Sequence, residues 1–308
     1  MLITLINQIL VMFVLMALGF LANKLRLLHE ESVSDLTQIL LMIIGPALII
    51  TALQRPSTSD SLHTLLLVGF GVFLLYVIEI VLAQLFFGKV KDRDSRRSAI
   101  FSSVYNNVGF IGIPLVTALF GLDGVFYAVT SMVVYNIFCW THGIALFHKE
   151  KQPLSDSLRS IILNPNVLAI ILGLMLFLTS TSLLKIVVTS LTYLGNANTP
   201  LSMMVIGYTL ADIRFSRQLL DKVVVLTVLC RNFLFPVFAL FLFKWLSLKG
   251  IDYSASLLVA ACPAPSMAVL FTLQVKGDTA YAATEMGLST ALSLVSIPFL
   301  FFLASLLI

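Results

Sequence analysis

Ten long apolar segments dominate this 308-residue sequence and restrict its fold more than any other feature. A helix needs ~20 mainly apolar residues to cross the hydrocarbon core of a bilayer. Short polar stretches separate the segments, and YLGNANTP interrupts the seventh. The sequence therefore predicts an all-α polytopic membrane protein with ten transmembrane helices. The ten segments are 3–23, 32–53, 62–88, 98–119, 125–147, 161–180, 186–211, 223–243, 253–274 and 279–306.

The composition excludes most other classes of protein. Apolar residues make up 59% of the chain, charged residues make up 11%, and the mean hydropathy is +1.03. An average soluble domain carries ~25% charged residues, and a large uncovered apolar surface drives association. These values argue against a soluble enzyme, a disordered chain and a nucleic-acid binder. The three cysteines lie in apolar runs without the spacing of metal or redox motifs, so neither a metal nor a cofactor is predicted.

Lys and Arg residues are divided unequally between alternate loops. Fourteen of the nineteen lie in loops on one side, four lie on the other side, and Arg231 lies within a segment. Cytoplasmic loops of membrane proteins are enriched in these residues. We therefore expect the richer side to face the cytoplasm, which places both termini on the extracytoplasmic side of a plasma (inner) membrane. The positive net charge then reflects orientation in the bilayer and not a nucleic-acid partner.

The chain divides into two halves of five segments each. Residues 1–148 hold the first five, 149–160 form a central loop expected in the cytoplasm, and 161–308 hold the last five. An odd number of spans per half forces the halves into opposite orientations, as in the inverted repeats of many secondary transporters. A shift of 154 residues relates Pro46 to Pro200. The same shift places the Asn- and Gly-rich part of the fourth segment on the run CPAPS of the ninth.

The fourth segment contains residues that interrupt helices at membrane depth. Proline removes a backbone donor, and glycine weakens helix continuity. Unsatisfied backbone groups are costly in lipid, so a break at this depth needs protein or a water-filled cavity beside it. The alternative is a continuous helix with a proline kink and with glycines for close packing. The residues of this first candidate break are Asn106, Asn107, Gly109, Gly112 and Pro114.

The ninth segment contains a second candidate break, formed by Pro263, Pro265 and Ser266. Two prolines two residues apart do not both fit the interior of a regular helix. A half-helix that starts at such a break presents free N–H groups and the positive end of its dipole. Two such ends near the membrane midplane would attract an anion, and the amides of Asn106 and Asn107 would donate to a carboxylate or help to coordinate a cation. The residues of both breaks are therefore the predicted substrate-binding residues.

Three further charged residues lie inside the predicted spans. Arg231 lies eight residues inside the eighth span, and Glu79 occupies a nearly equivalent place in the third. Charges inside spans are rare and are functional candidates by default. Arg231 is a candidate counter-charge for a substrate carboxylate, and Glu79 and Glu285 are candidate sites for a coupling ion. The alternatives are a structural ion pair between Glu79 and Arg231 and, for Glu285, a solvent-exposed position at the start of the tenth span, which is favoured.

Four runs of sequence give the chain a resemblance to a known family. They are NVGFIGIP at 107–114, LNPNVLAIILGL at 163–174, PLSMMVIGYTLAD at 200–212 and ACPAPS at 261–266. In their order, and in the Asn-to-Pro spacing of the first, they resemble the auxin efflux carrier family. That family includes PIN-type plant exporters and bacterial malonate-type permeases, and the short central loop is similar to that of bacterial members.

The resemblance implies a fold and a mechanism. Helices 1, 2, 6 and 7 would form a scaffold that commonly dimerises, and helices 3–5 and 8–10 would form a moving core. Helices 4 and 9 would cross at their breaks, with Asn107 and Pro114 at the first crossing and Pro263 or Pro265 at the second. Family substrates are weak organic acids. The second break lacks an asparagine equivalent to Asn107, so the two halves are not expected to bind the substrate symmetrically.

The sequence thus predicts a secondary transporter, not an enzyme, that moves mono- or dicarboxylate anions by elevator-like alternating access. The expected partners are the organic anion, protons or sodium ions, the lipid bilayer and a second copy of the chain. One alternative is a sodium-coupled carrier of the bile-acid or arsenite transporter type. Another is a non-transporting membrane sensor. The Walker A, HExxH and GxSxG motifs do not occur, which argues against a pump or a hydrolase.

Overall fold

Helices form the regular structure of the chain in the computed structural model, which describes residues 2–147, 163–211 and 217–307. Within those ranges there is no strand, and a 3₁₀ turn at Arg217–Leu220 supplements the helices. The predicted central loop, 149–160, lies outside the described residues. In chain order the helices are α1 (Leu2–Lys24), α2 (Glu30–Leu53), α3 (Ser59–Phe87), α4 (Arg93–Val104), α5 (Ile113–Phe138), α6 (Pro165–Leu178), α7 (Lys185–Asn196), α8 (Asn198–Ala211), α9 (Lys222–Trp245), α10 (Gly250–Ala260), α11 (Met267–Gln274) and α12 (Ala280–Leu307).

Five helical stretches of the described chain are long and apolar enough to cross a membrane. Many of their large apolar side chains are exposed, which is a liability in water but suits contact with lipid. Leu10–Lys24 and Pro165–Leu178 are shorter apolar helices. The prediction of an all-α, multi-pass membrane protein is therefore confirmed. The five stretches are Glu30–Leu53, Ser59–Phe87, Arg93–Gly143, Lys222–Trp245 and Ala280–Leu307.

Three prolines each follow a widened, π-helical turn at the same spacing. A proline ring clashes with the carbonyl group four residues earlier and offers it no N–H. Each of these prolines follows the last residue of a π-helical turn by two positions, so the crowded carbonyl lies within the widened turn. The helix then bends and continues instead of stopping. The pairs are Leu40–Ile44 with Pro46, Val108–Gly112 with Pro114, and Cys230–Leu234 with Pro236.

The helical path of α5 is interrupted at Gly121. Its φ of 60° and ψ of −156° lie in a region that residues with a Cβ rarely adopt. The interruption falls between the predicted spans 98–119 and 125–147. It therefore divides the long helical stretch where the sequence predicts a turn between two spans.

Two glycines allow α1 and α8 to touch through their backbones. Gly19 faces the backbone of Met204, and Gly207 faces the backbone of Met16. A Cβ at either glycine would overlap the facing carbonyl group. Small residues permit this close approach of helices in membranes. Helices from the two halves of the chain therefore form one tightly packed pair.

Helix contacts divide the molecule into two groups. In the first, α1 packs on α8, and α2 packs on α6 and α7. In the second, α3 packs on α4 and α5, α10 packs on α5, and α12 packs on α4, α9 and α11. The first group meets the second where α1, α2 and α8 contact α5. This boundary positions the candidate site.

Candidate functional site

The first break separates α4 from α5. Tyr105 is extended, with φ −87° and ψ 142°, and helical structure resumes in the π turn Val108–Gly112. Asn107 caps this turn, because its side-chain Oδ1 accepts a hydrogen bond from Phe110 N at 3.2 Å. The other polar atom of that side chain, Nδ2, is a donor. The break therefore orders one amide donor beside the start of a helix.

The second break separates α10 from α11. Helical structure ends at Ala260 and is absent from 262–265, and Ser266 is the N-cap residue of α11. Pro265 O accepts a bond from Ala268 N at 3.4 Å. The first turn of α11 thus begins directly after the second proline, as the sequence predicts for a half-helix.

A neighbouring helix satisfies the backbone N–H of Ala264 in the second break. Ala264 N donates to Ser289 Oγ at 3.0 Å, and Ser289 Oγ donates to Asn232 Oδ1 at 2.7 Å. Asn232 Nδ2 in turn donates to Ser289 O at 2.9 Å. Non-helical backbone at membrane depth persists only where such partners replace water. The side chains of α9 and α12 therefore hold this break in place.

The two breaks contact each other directly. Asn107 N donates to Pro263 O at 2.8 Å, and Asn106 Nδ2 donates to Val259 O at 2.6 Å. Tyr76 OH donates to Asn106 Oδ1 at 2.9 Å, so both polar atoms of the Asn106 side chain have protein partners. Asn106, predicted to bind substrate, is 5% exposed. It joins the breaks to each other, and its predicted contact with substrate stays a prediction.

A cavity of about 160 Å³ lies between the breaks and helices α2, α8 and α12. Asn107 and Ser266, one from each break, lie in its wall together with Thr37, Thr209 and Thr290. None of the described residues that line it is charged. The apolar part of the wall consists of Val33, Phe110, Ile111, Val205, Ile206, Leu210 and Met286.

Helix ends give this cavity a positive character without a basic side chain. Asn107 and Ser266 are the N-cap residues of the helical segments that follow the two breaks. The N-terminal end of a helix carries roughly half a positive charge and unpaired N–H groups. Both ends border the same space. The arrangement can therefore stabilise a small anion whose remaining surface is apolar.

Arg231 lies behind the breaks and is 1% exposed. Its Nη1 donates to Ser103 O at 3.1 Å and Val104 O at 2.7 Å, and its Nη2 donates to Ala260 O. These carbonyl groups end α4 and α10, where the helix dipole is negative. Glu79 Oε2 lies 3.8 Å from Nη1, so the alternative of an ion pair is present in the structure.

The guanidinium group of Arg231 does not line the cavity between the breaks. Its hydrogen bonds go instead to the helix ends that meet behind that cavity. One cation thus compensates two helix termini and one carboxylate. A direct bond from Arg231 to a substrate carboxylate stays a prediction.

Glu285 is completely buried, with 0% of its surface exposed. The favoured expectation of a solvent-exposed position is wrong, because α4 and α9 pack over this turn of α12. Ser98 Oγ donates to Glu285 Oε2 at 2.5 Å, and Oε1 has no hydrogen-bond partner among the described residues. Within those same residues, no group of three or more His, Cys, Asp or Glu side chains could hold a metal ion.

Three other predicted residues shape the first break. A Cβ on Gly112 would lie 3.5 Å from Cys262 Sγ, so this glycine packs against the second break. Pro114 O accepts a bond from Thr199 Oγ1 at 3.2 Å, which links α5 to α8. Gly109 borders a second, smaller cavity of about 20 Å³. Gly112 therefore lies between the two breaks, and Pro114 lies between the two helix groups. Gly109 lies beside the smaller cavity.

The smaller cavity contains polar residues that the sequence analysis did not name. Asn166 and Asn198 line it, and in the described part of the chain Asn166 Oδ1 and Asn198 Nδ2 have no hydrogen-bond partner. Phe110 borders both cavities and lies between them. The available signal was asparagine close to proline inside apolar segments, in LNPN and NANTP. The same combination marks the first break.

Known proteins similar to this chain are membrane transporters. The Membrane transport protein family matches residues 4–301. An uncharacterized transporter of Methanothermobacter thermautotrophicus is 26% identical over 294 residues, which cover 95% of this chain and 96% of the relative. An uncharacterized transporter of Methanocaldococcus jannaschii is 25% identical over 302 residues, which cover 94% and 96%. The predicted resemblance to auxin efflux carriers is thereby confirmed, and the chain belongs to the membrane transport protein family.

Proposed function

We propose that the protein is a secondary transporter of weak organic acid anions and that the cavity between the breaks binds the substrate. The supporting observation is that two helix N-termini, capped by Asn107 and Ser266, border one mainly apolar cavity. A carboxylate would accept hydrogen bonds from Asn107 Nδ2 and from the N–H groups that begin α11. Its hydrocarbon part would pack on apolar side chains such as Ile206 and Met286.

The size of the cavity supports small substrates. Pockets for drug-sized molecules occupy roughly 300–1,000 Å³, whereas this cavity measures about 160 Å³. Mono- and dicarboxylates of a few carbon atoms therefore fit better than large amphipathic acids. The hydroxyl groups of Thr37, Thr209 and Thr290 offer partners for a second polar group of the substrate.

The proposed arrangement in the membrane has ten transmembrane helices in two inverted repeats of five. Both termini would lie on the extracytoplasmic side of the plasma membrane. The described helices overlap the ten predicted segments, and the breaks of the fourth and ninth segments are related by the shift of 154 residues. Paired interruptions of this kind are typical of substrate sites in inverted-repeat transporters.

Transport would occur by an elevator-like slide between the two helix groups. The scaffold would consist of α1, α2, α6, α7 and α8, and the moving core would consist of the other helices. The cavity wall draws Val205 and Thr209 from the scaffold and Asn107 and Ser266 from the core. A slide would therefore carry the charged part of the substrate along with the breaks. A second copy of the chain would bind to the scaffold, as the resemblance implies.

Purified protein in detergent gives the first test of this function. Mono- and dicarboxylates of two to six carbon atoms are screened for their effect on the apparent melting temperature, because a ligand of the native state stabilises it. Compounds that stabilise the protein are then assayed, in radiolabelled form, for uptake into proteoliposomes. We expect saturable uptake of at least one carboxylate. Stabilisation without uptake or exchange of any compound would favour the sensor, and uptake that strictly requires sodium would favour the sodium-coupled carrier.

A further inference from the structure

We propose that Glu285, with the hydroxyl groups of Ser98, Ser102 and Thr227, forms a proton-binding site inside the core helices. Ser98 and Ser102 lie one turn apart on α4, Thr227 lies on α9, and Glu285 lies on α12. The site therefore joins three helices of the proposed moving core. Its role in coupling proton movement to transport rests on the proposed function, whereas the binding of the proton does not.

All four side chains are withdrawn from solvent. Glu285 and Ser102 are 0% exposed, and Ser98 and Thr227 are 1% exposed. Ser98 Oγ donates to Glu285 Oε2 at 2.5 Å, and the hydroxyl groups of Ser102 and Thr227 lie within interaction range of the same carboxyl group. An ionised carboxylate is very costly at such a place unless a positive charge accompanies it. Glu285 therefore needs a compensating charge.

No basic side chain that the structure describes in the surrounding segments pairs with Glu285. Arg97 forms an ion pair with Asp94 at 2.9 Å, and Arg231 binds the carbonyl groups at the ends of α4 and α10. Among the described residues, Glu285 has no ion pair with Lys, Arg or His. The charged or titratable groups of α4, α9, the 3₁₀ turn, α12 and the loops beside them include Asp92, Arg93, Asp94, Arg96, Arg97, Arg217, Asp221, Lys222, Cys230, Arg231, Lys244, Lys276, Asp278 and Tyr281.

The geometry favours a proton over a metal cation. Ser98, Thr227 and Glu285 lie within helical turns whose main-chain carbonyl groups form helix hydrogen bonds, whereas Ser102 lies in the last turn of α4. A cation would have to complete its shell of oxygen ligands from these side chains and the carbonyl group of Ser102. The Thr227 hydroxyl already donates to Val223 O at 2.8 Å, which leaves only lone pairs to face the carboxyl group. A lone pair beside Glu285 is favourable when the carboxyl group carries a proton.

Two atoms of the site gain a partner when that proton is present. Glu285 Oε1 and Ser102 Oγ are both buried, and each lacks a hydrogen-bond partner within the described ranges. A proton on the carboxyl group supplies a donor for the hydroxyl oxygens around it. Buried polar groups without partners are rare and need a physical explanation. Here the explanation is a proton on the carboxyl group of Glu285.

The site is connected to both breaks through short stretches of helix. Ser102 lies two residues before Val104, whose carbonyl ends α4 and accepts a bond from Arg231. Thr227 lies one turn before Arg231, and Glu285 is adjacent to Met286, which lines the substrate cavity. Loss of the proton would leave a charge that must reach water. Access to water requires α4 and α9 to move apart from α12, and a movement of the core that includes this opening would link proton release to substrate movement.

Thermal unfolding of purified protein between about pH 5 and pH 9, in choline chloride, tests the site without a substrate. The folded protein would hold a proton that the unfolded chain releases, so stability falls as the pH rises. We expect the apparent melting temperature of the wild type to fall by about 2–3 °C per pH unit relative to Glu285→Gln. The matched control, Asp60→Asn, removes an exposed acid and should keep the wild-type profile.

Three results would overturn the proton site. The first is a Glu285→Gln profile parallel to that of the wild type. The second is stabilisation of the wild type, but not of Glu285→Gln, when sodium chloride replaces choline chloride. If Glu285→Gln does not fold, the pH dependence of unfolding of Ser98→Ala tests the proton site instead. Loss of the Ser98 donor disfavours the carboxylate in the folded protein, so the decline should extend to higher pH before it levels off. A decline that levels off at the wild-type pH is the third contrary result.

Proteoliposomes test the coupling role separately, with radiolabelled malonate and acetate as probes. We expect Glu285→Gln to keep exchange of probe across the membrane while losing accumulation driven by a pH gradient. Undiminished accumulation in Glu285→Gln would overturn the coupling role. Absence of exchange by the wild type with any carboxylate of the screen would instead refute the proposed function, and the proton site would still be decided by the unfolding profiles.

Discussion

The two breaks differ in the groups that form hydrogen bonds with their non-helical backbone. The first uses side chains of its own, because Asn106 bonds to Val259 O and Tyr76 OH while Asn107 caps the following turn. The second contains two prolines and no asparagine, and Ser289 of α12, held by Asn232 of α9, accepts the hydrogen bond of Ala264 N. The first break therefore offers an amide donor to the cavity, whereas the second offers a hydroxyl group and a helix end. Similar backbone interruptions need not contribute equally to binding.

Replacement of Arg231 tests what the breaks share, and we expect the largest effect there. Arg231→Ala removes the donor to the carbonyl ends of α4 and α10 and leaves Glu79 buried without its cation. Breaking a buried ion pair costs about 3–5 kcal/mol. Thermal unfolding should show a strong loss of stability. The double variant Glu79→Ala/Arg231→Ala should recover part of the lost stability, because it removes the unpaired carboxylate. Recovery should be incomplete, because the carbonyl groups at the helix ends stay unpaired. Full recovery would show that the ion pair alone matters.

Replacement of Asn107 tests the difference between the breaks. Asn107→Ala removes the amide donor from the cavity, and a hydrogen bond to a charged group contributes about 1.5–3 kcal/mol. We expect transport of a carboxylate at low concentration to fall by at least about tenfold, and loss of the cap on Phe110 N to lower stability in detergent by only about 1 kcal/mol. Ser266→Ala, the matched change in the second break, should have a smaller effect. Equal losses of uptake would contradict the proposed asymmetry.

Replacement of Asn106 tests the contact between the breaks. Asn106→Ala leaves Val259 O and Tyr76 OH without a partner in a buried place. The expected loss of stability is about 1–3 kcal/mol, measured by thermal unfolding. Tyr76→Phe removes only one of the two bonds and should cost less. A larger loss for Tyr76→Phe would show that the tyrosine, not the asparagine, anchors the breaks.

Replacement of Gly112 should have the smallest effect. A Cβ would lie 3.5 Å from Asn107 O and from Cys262 Sγ, which is ordinary van der Waals distance. Gly112→Ala should change stability by less than about 1 kcal/mol, because alanine also favours a helical conformation. Uptake should resemble that of the wild type. A folded variant without transport would show that the glycine is required in the conformation at the other end of the slide.

Sequence patterns predicted the helical character of the chain and the places where helices are interrupted, whereas the count of ten spans stays a prediction. The length of an apolar segment indicates a spanning helix, and Pro and Gly interrupt a helix through local steric effects. Both signals depend on residues close together in the chain and can therefore be read from the sequence. The role of Arg231 was not predictable in the same way, because its partners at 103, 104 and 260 are brought together only by packing. Side-chain chemistry identified a special residue but not its partners.

Burial is the property that sequence described least well. A helix in a membrane is apolar on most of its surface, so periodicity does not show which face meets protein and which meets lipid. Glu285 therefore resembled a polar residue near the end of a span, although α4 and α9 cover it. Asn166 and Asn198 were missed for a related reason, because their shared cavity joins residues from different segments.

The backbone contact between α1 and α8 has a consequence for the synthesis of the protein. Asn23 Nδ2 donates to Tyr208 O, so the pair joins residues 185 positions apart. Ribosomes add ~5–20 residues per second, and the first helix therefore waits about 10–40 s for its partner to be translated. During that interval the face around Gly19 lacks the helix that it packs on in the finished protein. The pair of α1 and α8 therefore forms late in synthesis.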